Sequence, residues 1–309
     1  MVNQPPFAMT TRNFPVPSAE DYERCAKDPD RPPAFRGADF AMRFEQGRWS
    51  EDRLIEAVNA TSVFRAIPYG RSQVGPEDRD RIKEYWREYC AAEANGKRPD
   101  ILVLHVEDYD YAVSVLGGDP TTVDEETFAP IVRRAVCGIE AENSLWVGAR
   151  MKDFQTSVPL RTKDPKSPNV WVKDQDVPGL RVWMHHHQKP VVVVQVFYDM
   201  AIAMELTRVL SLADEVLSAE VGKRDELSKR LGLFVREQEY ADSRGGITRK
   251  TVYVAHHSIA VPFGSVVGET EAHAKVIFSA NGKIMPYVSF KGGRLQLTHQ
   301  GTNLLNSLR

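Results

Sequence analysis

Residues Pro190–Tyr198 read PVVVVQVFY. Four consecutive valines, then alternating apolar residues, suit a strand buried on both faces, and such a strand needs covering layers above and below it. This run points to an α/β core with a mixed sheet flanked by helices, and it should be central in that sheet. Weaker strand signals are Ile101–Val106 (ILVLHV), with Tyr111–Leu116 (YAVSVL) as its expected hairpin partner before a turn at Gly117-Gly118-Asp119-Pro120, and Asn169–Lys173 (NVWVK). Phe128–Ala141 reads either way. Pro130 allows a helix start, but the apolar spacing favours a strand over Arg134–Ala141.

Helix signals fall between these runs. Ser50 reads as an N-cap followed by Glu51 and Asp52, with Leu54, Ile55 and Val58 on the helix. Pro76 opens a second helix to Ala94, closed by Asn95-Gly96. Asp199–Val221 has helical periodicity at Ile202, Leu206, Val209, Leu210 and Leu217, with Asp199 as its expected cap. Residues 1–38 are proline-rich and charged and read as an irregular arm. Strands at Thr251–His256, Ile277–Phe278, Ile284–Phe290 and Leu295–Thr298, with turns at Asn281-Gly282 and Gly292-Gly293, make the C-terminal region β-rich. The expected organisation is an N-terminal arm with helices over 1–95, a core over 96–225 and a basic β-rich region over 226–309.

The 309 residues carry a net charge of −2, with three scattered cysteines. That cysteine count suggests neither a disulfide framework nor a zinc site, and no run is long enough for a membrane span, so a cytoplasmic protein is expected. The charge is unevenly spread. Residues 1–149 hold 18 Lys/Arg against 26 Asp/Glu, and residues 150–309 hold 22 against 16. Residues 243–309 alone hold 8 basic and 2 acidic residues. A basic segment of this kind suits phosphates, while acidic residues elsewhere suit metals; it is equally readable as a solvated surface.

Chemistry concentrates at two short motifs. Pro99-Asp100 stands just before an apolar strand, and Glu140 and Glu142 end an apolar segment forty residues later. Because strand side chains alternate, both glutamates of Glu-Ala-Glu point to one face. Carboxylates converging from neighbouring strand ends can hold Mg²⁺, a hard cation that prefers oxygen ligands and keeps part of its water shell. The histidines His185-His186-His187 cannot all face one metal and are expected in a loop. Glu56 on the first helix is a possible further carboxylate. Glu107 and Asp108 lie about 20 Å from Asp100 along an extended strand, too far to share its ion.

The sequence RPD-ILVL followed by IEAEN resembles the signature of the PD-(D/E)XK nucleases, and within them the type II restriction endonucleases, over residues 97–200. The resemblance implies a restriction-endonuclease-like fold and Mg²⁺-dependent cleavage of double-stranded DNA at a specific short sequence. It makes Asp100 and Glu140 the metal ligands. The third position of that signature is usually Lys; here it is Glu142, which becomes the candidate to orient or deprotonate water, or an additional metal ligand. A lysine from elsewhere, such as Lys152 or Lys173, is a candidate to complete the site. A homodimer is implied by the two-fold symmetry of palindromic DNA. Expected DNA contacts are Arg65, Tyr69 and Arg71 in one loop, and Arg249, Lys250, Lys275, Lys283, Lys291 and Arg294 in the basic C-terminal region. A repair or junction-resolving nuclease, a DNA-binding protein without catalysis, and a small-molecule metal enzyme remain open alternatives.

Overall fold

The structure, a computed structural model, describes residues 8–10, 38–70, 97–117, 120, 123–144, 146–151, 167–241, 247–278 and 284–308. The elements in chain order are β1 (Ala8–Thr10), α1 (Ala38–Asn59), β2 (Phe64–Pro68), β3 (Ile101–His105), α2 (Val106–Leu116), α3 (Glu125–Arg134) and β4 (Cys137–Asn143). They continue with β5 (Asn169–Lys173), α4 (Val177–His187), β6 (Val191–Val196), β7 (Met200–Glu205), α5 (Leu206–Ser218) and α6 (Arg224–Leu231). The last are β8 (Leu233–Ala241), β9 (Ile247–His256), β10 (Val261–Phe278), β11 (Ile284–Leu297) and α7 (His299–Ser307).

The main sheet has eight strands in the order β1-β10-β7-β6-β4-β3-β2, with β11 also paired to β10. It is mixed: β4 runs parallel to β6 and β1 parallel to β10, while the other pairs are antiparallel. As expected, β6 lies inside the sheet, between β4 and β7, and all six of its residues are buried. Alternation divides its neighbours between two cores. Val192, Val194 and Val196 join Ile101, Val103 and Ile139 beneath Leu54, Ala57 and Val58 of α1. Val191 and Val193 join Leu102 and Leu104 on the opposite face, under Phe128, Ile131, Leu180 and Val209 of α3, α4 and α5. A second, three-stranded sheet, β5-β9-β8, packs on this second face, where Gln195 of β6 accepts the Trp171 N–H at 3.3 Å. No described helix is long and apolar enough to cross a membrane.

Several local expectations are corrected. Ser50 is not an N-cap: α1 begins at Ala38, and the Ser50 hydroxyl donates back to the Gly47 carbonyl at 2.7 Å within the helix. Tyr111–Leu116 is helical rather than a hairpin strand. Glu107 and Asp108 sit in the first turn of α2, and Gly117 closes it at φ 60°, so favourable charge at one end and a left-handed cap at the other outweigh the β-branched residues between them. Helix α3 extends to Arg134, with Asp124 capping it through the Thr127 N–H, and the strand begins only at Cys137. Met200–Glu205 forms β7 and not the start of a helix, because it pairs with β6 from Val196↔Ala201 to Val192↔Glu205. Asp199 therefore caps no helix after it; its carboxylate accepts the N–H groups of Gly148 and Ala149. The three histidines form the last turn of α4 rather than a loop. Gly292-Gly293 is no turn: both glycines have positive φ inside the continuous strand β11, beside a register shift in β10. The Pro76–Ala94 helix and the Asn281-Gly282 turn fall outside the described residues.

Candidate active site

Pro99 and Asp100 enter β3 across from the segment of β4 that carries the glutamates. The ladder pairs Ile101 with Ile139, so Asp100 lies level with Glu140 at its end. The Asp100 carbonyl accepts the N–H groups of Tyr69 and Gly70 at 2.8 and 2.9 Å, and its Oδ2 accepts the Ala141 N–H at 2.8 Å. The aspartate is thus held from both sides, by the loop after β2 and by the backbone between the two glutamates. Two glycines permit the approach. A Cβ at Gly70 would lie 3.0 Å from the Asp100 Cα, and one at Gly138 would lie 2.5 Å from Pro99 Cγ.

Cys137 and Ile139 of β4 face the α1 core, so Glu140 and Glu142 face the opposite side, toward α4 and β5. Both glutamates share a face, as the alternation requires. Their oxygens and one of Asp176, the residue before α4, lie within 4.8 Å of one another. Asp100 is not in that tightest set, although its charge and that of Glu140 act on each other. Two ammonium groups enter the cluster. Lys97 bonds Glu140 Oε1 and lies 3.1 Å from Asp176 Oδ1. Lys173 of β5 bonds both Glu142 oxygens, at 2.7 and 2.9 Å. Lys152 lies outside the described residues.

Crowding of like charge away from water shifts these groups. Burial, then the neighbouring Glu51, pushes the Asp100 carboxyl up to about 7. Burial, then Asp52 and Glu140, brings Glu51 to about 7. Burial and Asp100 hold Glu140 well above the usual carboxylate range. Burial works against the Lys97 ammonium, but Glu140, Asp176 and Asp100 outweigh it and keep the charge in place. The donor set is all oxygen, and Glu140 Oε2 is buried with no hydrogen-bond partner among the described residues. Excess negative charge and an unsatisfied carboxylate oxygen fit a hard divalent cation.

A family model for the AccI restriction endonuclease matches residues 9–164, just over half of the chain. The chain belongs to the AccI restriction endonuclease family. No curated protein and no solved structure matches it. The family is one of nucleases, so this restriction endonuclease acts on DNA, and the match spans Glu51, Lys97, Asp100, Glu140 and Glu142. Lys173 and Asp176 lie beyond it.

Other residues find different places. Glu56 is exposed on α1, whereas Glu51 carries the helix charge felt at the site. The sequence held a signal for this: Glu51 continues the buried stripe of Leu54 and Val58 by one turn, and Glu56 lies off it. Glu107 and Asp108 lie beyond the far end of β3, in the first turn of α2, where Asp108 pairs with Arg134.

Among the expected DNA contacts, Tyr69 is corrected. It is fully buried, accepts the Trp183 indole N–H at 2.9 Å and donates to Glu125 at 3.2 Å. Arg65 is half-buried, and one of its nitrogens donates to the carbonyls of Asn59, Thr61 and Phe64, sealing the C-terminus of α1. Arg249 and Arg294 are exposed. Arg249 pairs with Glu239 at 3.1 Å, a surface pair worth less than about 1 kcal/mol, which leaves it free to exchange partners. Lys250 bonds Gln175, next to Asp176. Lys275 and Lys291 lie on β10 and β11. Arg71 and Lys283 fall outside the described residues.

Proposed function

We propose that the protein is a type II restriction endonuclease that hydrolyses phosphodiester bonds of double-stranded DNA at a specific short sequence, using Mg²⁺. The observation that carries this reading is the meeting of Asp100, Glu140 and Glu142 from adjacent strands, with Lys97 and Lys173 beside them, the three acids and Lys97 lying inside the segment that matches a restriction-endonuclease family. Asp100 and Glu140 would hold the ion, which when bound supplies a Lewis acid and lowers the pKa of water.

The chain's own residues do the rest. Glu142, fixed by Lys173, faces the site and accepts a proton from the attacking water. In the related signature a lysine occupies the place of Glu142; here Lys173 brings an ammonium to the same spot from another strand. Lys97 neutralises part of the charge on Glu140 and keeps that side chain in place. The Ala141 N–H and the Tyr69–Gly70 loop keep Asp100 from turning away. Arg249, Lys250, Lys275, Lys291 and Arg294, together with Arg71 and Lys283, supply phosphate contacts and base-edge readout. The working form is a homodimer matched to a palindromic site, acting in the cytoplasm.

Incubation with a sequenced plasmid and Mg²⁺, followed by mapping of fragment ends, tests this reading. Discrete ends at one short sequence are expected. Glu140→Gln should keep DNA binding and lose cutting. Cutting confined to forks or junctions would replace it with a repair activity. Salt-dependent binding without any cutting by the unaltered protein would leave a DNA-binding protein.

A further inference from the structure

We infer that Asp176 is a further ligand of the active-site metal beside Glu140, so that the ion's carboxylate set reaches beyond the family signature. This rests on the metal-dependent reading above. Asp176 occupies the N-cap position of α4, with Pro178 in the first turn. An aspartate there ordinarily accepts an N–H from the helix it starts, which stabilises that helix. Asp176 makes no such bond: its backbone is already helical, at φ −85° and ψ −23°, and its side chain is turned toward the glutamates.

Its position is set by close packing. A Cβ at Gly179 would lie 2.7 Å from the Lys97 Cβ, so the first turn of α4 rests directly on the residue that also holds Glu140. From there one Asp176 oxygen comes within 4.8 Å of both glutamates, and Oδ1 lies 3.1 Å from the Lys97 ammonium. Glu140 Oε2, buried in the same cluster, has no partner among the described residues. Asp176 pairs with Lys97, but it also comes within 4.8 Å of the Glu142 carboxylate, which that lysine does not hold. Lys97 already bonds Glu140 and feels Asp100, while Lys173 is taken by Glu142. The cluster sets the carboxyl groups of Glu51, Asp100, Glu140, Glu142 and Asp176 against the ammonium groups of Lys97 and Lys173. A divalent cation would offset most of that surplus.

The test is Mn²⁺ binding by the full chain without DNA, read as loss of the free-ion electron paramagnetic resonance signal, with a thermal melt for each variant. Asp176→Asn should weaken Mn²⁺ binding about tenfold or more and leave the melt unchanged. The same loss should appear when Asp176→Asn is made in a Lys97→Met background, because a ligand acts on the ion whether or not its lysine neighbour is present. If Asp176→Asn folds poorly, Asp176→Glu keeps the charge and should still weaken binding severalfold, since its longer arm displaces the oxygen. Wild-type affinity in a folded Asp176 variant, or loss of the effect in the Lys97→Met background, would overturn the inference. Loss of binding in Glu140→Gln would in that case leave the metal-dependent reading standing. An unaltered protein that binds no Mn²⁺ would remove both.

Discussion

At the scale of single residues, the site depends on backbone approaches that leave no room for side chains. Gly138 lies against Pro99 and Trp183, and its missing Cβ lets the strand bearing Glu140 close on the turn bearing Asp100. Gly138→Ala should therefore destabilise the fold by about 1–3 kcal/mol, read in urea denaturation, and also reduce cutting under conditions where the variant is still folded. Glu142→Gln tests the proton-accepting role. It keeps size and hydrogen bonding but removes the base, so cleavage should fall about 10²–10⁴-fold while DNA binding changes little. Full cleavage by that variant would move the role to another group. Nothing in the sequence marked Lys97 as a partner of Glu140. It stands only three residues before Asp100, but its pairing depends on how α4 lies across it.

At the scale of elements, a buried polar network braces the turn that carries Asp100. Arg98 donates to Glu125 at the start of α3 at 2.6 Å and to the Val123 carbonyl at 3.0 Å, with its guanidinium over the Tyr69 and Phe128 rings. Glu125 also receives Tyr69, and His187 at the end of α4 lies 3.2 Å from it. The network thus ties the β2 loop, α3 and α4 together behind the site. Burial alone would raise the Glu125 carboxyl, but the His187 and Arg98 interactions outweigh it and bring it down to about 2. A depressed carboxylate stabilises fully above its ordinary value of 4.5 and loses that contribution as pH falls toward the folded value. Glu125→Gln should cost about 2 kcal/mol or more at pH 7. The gap from the parent should narrow on acidification below pH 4, with a residue left by the unpaired Arg98. Parallel urea melts at several pH values check this; a gap independent of pH would refute it. The same elements show where periodicity misleads. Met200–Glu205 has helical spacing in sequence, but the hairpin with β6 places it in the sheet, where its neighbour decides its conformation.

At the scale of the molecule, the sheet interleaves distant parts of the chain. β10 lies between β1 and β7, and Phe263, Leu295 and Leu305 from the C-terminal third complete the core beneath α1. Truncation after residue 225 should accordingly yield an insoluble or unfolded product, because it exposes the β7 edge and removes those core side chains. A soluble fragment with a cooperative melt would show the opposite. Binding of the intact protein to DNA should weaken steeply with salt, since cations spread over β9, β10 and β11 would meet the phosphate backbone. Measuring affinity at 50 and 200 mM salt, alongside sedimentation to count subunits, tests the DNA-contact and dimer proposals together.

The sequence by itself determined the central strand, the shared face of Glu140 and Glu142, the placement of Asp100 at the head of β3 and the family resemblance, because each is written in short-range pattern: alternation, apolar runs and a motif a few residues long. Tertiary structure alone decided which cations and further carboxylates gather there. Lys97, Lys173 and Asp176 come from a loop, a second sheet and a helix start, and no local spacing relates them; Glu51, on a distant helix, is marked in sequence only by its place on a buried stripe, not by any relation to Asp100. Tyr69 shows the same limit from the other side. A tyrosine beside Gly70 and Arg71 reads as exposed, yet burial against Trp183 and Phe128 makes it a strut of the core. Long-range packing, not local composition, sets the electrostatic surroundings of a side chain.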